Sequence, residues 1–242
     1  MSTDDILETW PYYRKPTGYR LVDMDFQQCF ENRNGMLTKW DEYYFHILHF
    51  LSRDGHIKDK YIKGIVENLN QLSDLSENGK NAGILWCLHG YFVPTKLVVT
   101  KKNDKKTSTR YTIRDSQESF LFIGKSLQEV EDHISHLRKV KKSTQPFIYG
   151  VGENIFSLSE ITVYFDGIRY KFKNFIRAVD ICFKLIYLFN LEFPPESIMF
   201  YNFLEIFFYF FEPKNVSTRV HVIIDALKNV TSQLNMRETE KN

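Results

Sequence analysis

The chain has 242 residues, of which 43% are hydrophobic and 26% are charged, close to the average for globular domains. This composition excludes a largely disordered chain, and a formal net charge of +2 excludes a strong general attraction to nucleic acids or membranes. The longest apolar run, FYNFLEIFFYFF (200–211), is shorter than the roughly 20 residues that a bilayer-spanning helix needs. The acidic start MSTDDILETW predicts no signal peptide.

The N-terminal region, residues 1–94, is predicted to be helical. Apolar side chains recur every three or four residues over 36–51 and over 57–72, which indicates two amphipathic helices. The nearly all-apolar segment 81–93 predicts a more central helix that ends at a proline. Residues 1–35 lack this periodicity, so we expect an irregular lead-in with a short helix.

Residues 95–115 differ from both neighbouring regions. The segment TKKNDKKTSTR (100–110) carries five basic residues, one acidic residue and no apolar residue. Polar, charged stretches between periodic segments are typical of exposed loops. The sequence therefore predicts a basic loop or linker here.

The C-terminal region, residues 116–236, mixes the two kinds of secondary structure. SFLFIG (119–124) and PFIYGVG (146–152) are predicted strands, and LQEVEDHISHLRKV (127–140) is a predicted helix between them. Ser126 and Glu129 match a capping box at the start of this helix. Because a helix joins the two strands, we expect them to pair in parallel.

VYFDGIRYKF predicts a β-hairpin, because Asp-Gly is the strongest two-residue hairpin signal. With Asp166-Gly167 as the turn, alternation of side chains predicts one apolar face built from the pairs Phe165/Ile168, Val163/Tyr170 and Ile161/Phe172. The opposite face is then expected to be a basic surface made of Thr162, Tyr164, Arg169, Lys171 and Lys173.

Three helices are predicted to follow, over 175–189, over an aromatic segment from Pro195 to about Pro213, and over 216–234, with a frayed tail at 237–242. The sum is an α+β fold. It has a helical N-terminal part and then a small mixed sheet (strand–helix–strand plus the Asp-Gly hairpin) packed by C-terminal helices.

Three phrases carry a resemblance to other sequences. GYRLVDMDF (18–26), RDSQESF (114–120) and FDGIRYKF with the following AVDICFKLIYLFNLEFPPES (165–197) resemble uncharacterised reading frames found in many copies in insect and fish genomes. Those reading frames are linked to transposable elements, and the similarity runs from about residue 18 to 211. The resemblance implies a mobile-element origin and implies no activity.

Several patterns that can carry chemistry have simpler structural interpretations. Four histidines form two pairs at i, i+3 spacing, His46 with His49 and His133 with His136, but no four-ligand metal set accompanies them. Asp23 and Asp25 form a DMD sequence, yet no further acidic set of a two-metal nuclease is recognisable. GVGEN (150–154) lacks the third glycine of a dinucleotide site and predicts a turn. We therefore predict no catalytic residues, no metal and no cofactor.

Three cysteines, Cys29, Cys87 and Cys182, are widely spaced and lie in apolar contexts. An odd number at such spacing favours neither a disulfide framework nor a zinc site. Buried, reduced thiols are typical of intracellular proteins, so we expect the protein in the cytoplasm or nucleus.

Two functional hypotheses rest on these patterns, and an enzyme whose residues meet only in three dimensions stays open as a third. The first is a non-enzymatic interaction protein that binds a protein partner or a second copy through an aromatic helical surface of Phe200, Phe203, Phe207 and Phe210. The alternative is a nucleic-acid-binding accessory protein using basic segments 101–110, 138–142 and 169–173. Its expected contact residues are Lys101, Lys102, Lys105, Lys106, Arg138, Lys139, Lys141, Lys142, Arg169, Lys171 and Lys173.

Overall fold

A computed structural model describes residues 3–33, 35–95, 97–102, 105–140 and 145–239. It contains a helical N-terminal part and a four-stranded mixed sheet among helices, which confirms the predicted α+β class.

Five helices form the N-terminal part: α1 (Thr3–Thr9), α2 (Tyr19–Cys29), α3 (Met36–Leu51), α4 (Lys60–Gln71) and α5 (Glu77–Tyr91), with a 3-10 turn at Pro11–Arg14. The bounds of α3 match the prediction. Ser76 accepts a hydrogen bond from the Gly79 N–H at 3.1 Å, so α5 begins earlier than predicted, at an N-cap that satisfies a free backbone donor. The lead-in, residues 1–35, is more helical than expected, because Val22 and Phe26 are buried on one side of α2.

Residues 97–118 contain three elements where a linker was predicted. β1 (Leu97–Lys102) and β2 (Lys105–Arg110) pair antiparallel, and the short helix α6 (Ile113–Glu118) follows. Thr112 and Asp115 form a capping box at the start of α6. The prediction of an irregular loop was therefore wrong for the described residues of this segment.

The mixed sheet has the order β3-β4-β5-β6, with β3 (Leu121–Gly124), β4 (Phe147–Val151), β5 (Glu160–Phe165) and β6 (Ile168–Phe172). Helix α7 (Leu127–Val140) joins β3 to β4, and these two strands are parallel as predicted. The hairpin register is also as predicted, with Phe165 opposite Ile168 and Val163 opposite Tyr170. Asp166 and Gly167 adopt φ of 45° and 82°, which this turn requires.

The second face of β5 differs from the prediction. Thr162 and Tyr164 are fully buried, because α7 covers this face of the sheet and packs Val130 and Ile134 against Tyr164. Arg169 and Lys171 of the edge strand β6 are exposed. Only the β6 half of this face is thus a basic surface.

Three helices complete the chain: α8 (Phe175–Leu188), α9 (Ile198–Phe207) and α10 (Thr218–Thr239). The predicted tail is helical as far as Thr239. Phe200 and Phe203 are 0% exposed and Phe207 is 6% exposed, whereas Phe210 is 40% exposed. The predicted aromatic interface was therefore wrong for the first three residues, because a helix that is apolar all round is buried within its own domain.

One continuous hydrophobic core includes buried residues from Leu7 to Leu227. It combines side chains of the N-terminal helices with those of the sheet and of α8 to α10. Within the described part of the chain, every helix is too short or too polar to span a bilayer.

Candidate functional site

The antiparallel pair β1–β2, hereafter the basic ribbon (97–102 and 105–110), forms a two-stranded sheet separate from the main sheet. Its two strands contact each other extensively and make no extensive contact with any other described helix or strand. Leu97, Ser108 and Arg110 of the ribbon are exposed. The ribbon therefore stands apart from the core.

The pairing register concentrates positive charge at one end of the ribbon. Lys101 lies opposite Lys106, and Lys102 lies opposite Lys105. Two consecutive cross-strand pairs are thus lysine–lysine pairs, and like charges directly opposite each other destabilise a β-ladder. Since the ribbon has an excess of basic residues and the whole chain has a net charge of only +2, the rest of the chain is slightly acidic.

A second basic region lies where the end of α7 meets the β5–β6 hairpin. The guanidinium carbons of Arg138 and Arg169 lie 5.9 and 5.7 Å from the centroid of the Tyr164 ring, within the range of cation–π contact. Arg169 also donates two hydrogen bonds to Glu131, at 2.7 and 2.9 Å. The structure thus brings together two predicted contact residues, but a carboxylate already balances the charge of one.

The remaining predicted contact residues of this region are less concentrated. Lys171 forms an ion pair with Glu160 at 3.1 Å, and Lys139 and Lys173 are exposed. Lys141 and Lys142 lie outside the described residues. Carboxylates consequently balance part of the positive charge of the hairpin surface.

The DMD sequence on α2 is structural. Asp25 accepts a hydrogen bond from the Tyr13 hydroxyl. Asp23 accepts hydrogen bonds from the guanidinium group of Arg177 and, at 2.9 Å, from the ammonium group of Lys184. The two aspartates therefore have different partners, and no group of three or more His, Cys, Asp or Glu side chains within the described residues is placed to hold a metal ion.

Asp23 belongs to a network of four charges that joins α2 to α8. Asp180 is fully buried and accepts hydrogen bonds from Arg177 at 2.6 Å, from Lys184 at 2.7 Å and from the Tyr209 hydroxyl at 2.9 Å. Two carboxylates and two cations balance each other, which buried charges require. Burial alone would raise the pKa of Asp23, but hydrogen bonds from Arg177 and Lys184 outweigh burial and hold this pKa below its ordinary value.

The stability of the protein is expected to fall in acid partly because Asp23 must be protonated. Since its pKa is lower in the folded chain than in the unfolded chain, the unfolded chain binds the proton first. The contribution of Asp23 is therefore complete above about pH 5 and is lost as the pH falls below about 4. Urea denaturation across this range should show a smaller loss of stability for Asp23→Asn than for the wild type. The control Asp54→Asn changes an exposed loop residue and should lose as much stability in acid as the wild type. Equal losses of stability in the wild type and both variants would contradict the role assigned to Asp23.

The histidines singled out in the sequence have different surroundings. His133 stacks on Phe122 with 3.8 Å between ring centroids, whereas His136 and His49 are exposed. A different pair, His89 and Ser116, was not predicted, because the two residues are 27 positions apart; their Nδ1 and Oγ lie 2.8 Å from each other. Both residues are fully buried, and burial lowers the pKa of His89 to about 3, so this pair is a neutral core contact that a substrate cannot reach.

The cysteines are partly as predicted. Cys87 and Cys182 are buried free thiols. Burial raises the pKa of both thiols, that of Cys182 to about 12, so neither is a thiolate nucleophile at neutral pH. Cys29 is exposed, and the prediction that it is buried was wrong because it lies on the solvent side of the last turn of α2.

A cavity of about 530 Å³ opens at the carboxyl ends of β3 and β4 and is also lined by α4, α5, α6 and the start of α7. Such crevices often bind ligands. Its charged side chains are largely engaged in structure: Asp59 and Glu129 bond backbone N–H groups at helix starts, and Arg114 forms an ion pair with Glu118 at 2.7 Å. A second cavity, of about 300 Å³, includes His133 and His136 in its walls. We recognise no nucleophile–base arrangement in either cavity among the described residues.

Comparison of the chain with protein-family models, with curated proteins and with solved structures finds no significant match.

Proposed function

We propose that the protein is a non-enzymatic nucleic-acid-binding protein of mobile-element origin that contacts the phosphate backbone with the basic ribbon. The observation that carries this proposal is the register of the ribbon, in which Lys101 and Lys102 lie opposite Lys106 and Lys105. Phosphate contacts supply most of the affinity of sequence-independent nucleic-acid binding.

The lysine pairs favour a polyanionic partner for an energetic reason. Two adjacent like-charge pairs repel each other in the free protein. A phosphate backbone between or beside the ammonium groups would replace this repulsion with attraction and would release condensed counterions. Binding of a polyanion would therefore relieve the repulsion that destabilises the free ribbon.

The shape of the ribbon also suits a nucleic acid. A two-stranded β-ribbon fits the major groove of B-DNA, which is about 12 Å wide. The ribbon stands apart from the core, so the slightly acidic remainder of the chain need not approach the phosphates. Because phosphate contacts carry no sequence information, we propose binding with little sequence preference, inside the cell, in agreement with free thiols at Cys87 and Cys182.

The two other predicted surfaces support a function less well. Three of the four phenylalanines of the aromatic helix are buried in the core. On the hairpin surface, Arg169 and Lys171 already have carboxylate partners. We assign the hairpin surface at most a secondary role, through Arg138 and Lys139.

Fluorescence anisotropy with short labelled duplex and single-stranded oligonucleotides tests the proposal. The variant carrying Lys101→Gln, Lys102→Gln, Lys105→Gln and Lys106→Gln should bind the duplex at least about 100-fold more weakly at low salt. If all four lysines contact phosphates, the slope of log K against log salt should fall by about 3 to 4 for the duplex.

A matched control removes the same charge elsewhere. Lys58, Lys60, Lys63 and Lys214 are exposed outside the ribbon, and changing all four to Gln should alter the affinity by less than about fivefold, through net charge alone. Circular dichroism should show both variants folded. Equal weakening in the two variants, or absence of binding by the wild type at low salt, would refute the proposed interface.

A further inference from the structure

Glu205 presents an unusual carboxylate to a cavity between α8 and α9. The side chain is 7% exposed. One oxygen, Oε1, accepts a hydrogen bond from the Tyr187 hydroxyl. The other, Oε2, is buried and has no hydrogen-bond partner among the residues that the structure describes, although buried polar atoms almost always have one.

The cavity has a volume of about 350 Å³ and is formed by the end of α8, the loop to α9, and Ile198 and Glu205 of α9. This volume is at the small end of the range for ligand pockets. Its walls are mostly apolar or aromatic: Ile186, Tyr187, Leu191, Phe193 and Ile198. A ligand that fills it must therefore carry a short apolar body.

The charges around the cavity have one sign. Glu192 and Glu205 line it, and none of the described lining residues is basic. Arg33 acts electrostatically on Tyr187 and lies over the Phe211 ring at 4.8 Å, but it forms no ion pair with Glu205 among the described residues. Within the described part of the chain, Glu205 thus lines the cavity with one carboxylate oxygen that accepts no hydrogen bond.

The aromatic rings add a second attraction for a cation. Tyr187 and Phe193 have ring centroids 6.2 Å apart and both line the cavity. Phe193 is held in place by stacking on Tyr201 at 5.0 Å. Faces of aromatic rings attract ammonium groups when water is excluded. Burial also raises the pKa of Glu205, and a bound ammonium group would stabilise its ionised form.

We propose that this cavity binds an organic ammonium ion with a short alkyl chain, its nitrogen bonded to Glu205 Oε2 and its carbons packed between the apolar walls. The ammonium ion can be a free amine or the side chain of a lysine in a peptide. This site is independent of the basic ribbon, so either proposal can fail while the other stands.

Methyl-detected NMR titration tests the site in the full chain. Addition of n-butylammonium chloride should shift the methyl signals of Ile186, Leu191 and Ile198 in a saturable manner. The isosteric neutral alcohol, 1-butanol, should bind at least about tenfold more weakly. Titration with Nα-acetyl-lysine N-methylamide then separates the two sources: comparable affinity points to a lysine side chain, and binding of butylammonium alone points to a free amine.

Two variants make the test specific. Glu205→Gln keeps an oxygen that can accept from Tyr187, and it should abolish the preference for the ammonium ion over the alcohol. Glu192→Gln, a matched change on an exposed residue of the rim, should weaken ammonium binding by less than about threefold. Absence of saturable shifts at these three residues, or equal affinity of the wild type and Glu205→Gln for butylammonium, would overturn the proposal.

Discussion

Replacing Asp180 with asparagine is expected to lower the free energy of unfolding by about 3–5 kcal/mol, because it leaves buried cations without their full counter-charge. Lys184 is nearly as buried as Asp180, and after the change Asp23 alone faces both Lys184 and Arg177. Asparagine is close in shape and can still accept from Tyr209, so the loss measures charge rather than packing. Urea denaturation followed by circular dichroism gives the value.

A second change tests whether charge imbalance is the cause. Adding Lys184→Met to Asp180→Asn leaves Asp23 and Arg177 as a balanced pair, so the double variant should be more stable than Asp180→Asn alone. Glu131→Gln, which breaks the exposed ion pair with Arg169, should cost about 1 kcal/mol or less. A double variant less stable than either single variant would show that the network acts mainly through packing.

Replacing Phe203 with alanine is expected to lower the free energy of unfolding by about 3–5 kcal/mol, the usual cost of removing a buried phenylalanine side chain. Phe203 is 0% exposed and its ring lies 5.8 Å from Phe92 and 5.5 Å from Phe207 between centroids. The change should destabilise the fold without altering the molar mass that light scattering reports.

Phe210→Ala provides the comparison on the same stretch of chain. Its side chain is 40% exposed, so the loss should be about 1 kcal/mol or less. If Phe203→Ala kept wild-type stability and instead dissociated an oligomer, the assignment of α9 to the core of a single chain would be incorrect.

The sequence predicted the hairpin register because two local rules agreed there. Asp166-Gly167 defined the turn, and alternation of large apolar side chains defined the face that packs on the core. The same alternation could not show that Thr162 and Tyr164 on the other face are buried. That burial depends on α7, which lies more than 20 positions earlier in the chain.

The basic ribbon could not be recognised from its sequence as a pair of strands. Strands are usually recognised by alternating apolar residues on one face, but the apolar residues of the ribbon, Leu97, Val98 and Val99, are consecutive, and TKKNDKKTSTR (100–110) has none. The ribbon makes no extensive contact with the other described elements, so such a pattern is not required. Its pairing rests on backbone hydrogen bonds between its own strands, which sequence periodicity does not record.

The candidate sites were predictable only in part. Lys101, Lys102, Lys105 and Lys106 were predicted as contact residues from composition, but their opposition across two strands required the fold. Glu205 and Tyr187 were not predicted, since they are 18 positions apart and meet only where α8 and α9 pack. The interpretation of Phe203 as a contact residue failed because apolar composition alone does not distinguish a core helix from an interface helix.

The separation of the ribbon from the hydrophobic core has an evolutionary consequence. A segment whose backbone makes no extensive contact with the other described helices and strands can lengthen, shorten or change charge while the scaffold remains stable. Selection can therefore adjust the affinity of the ribbon for its target independently of folding. Related sequences can therefore diverge first in this segment, while the α+β body remains nearly unchanged.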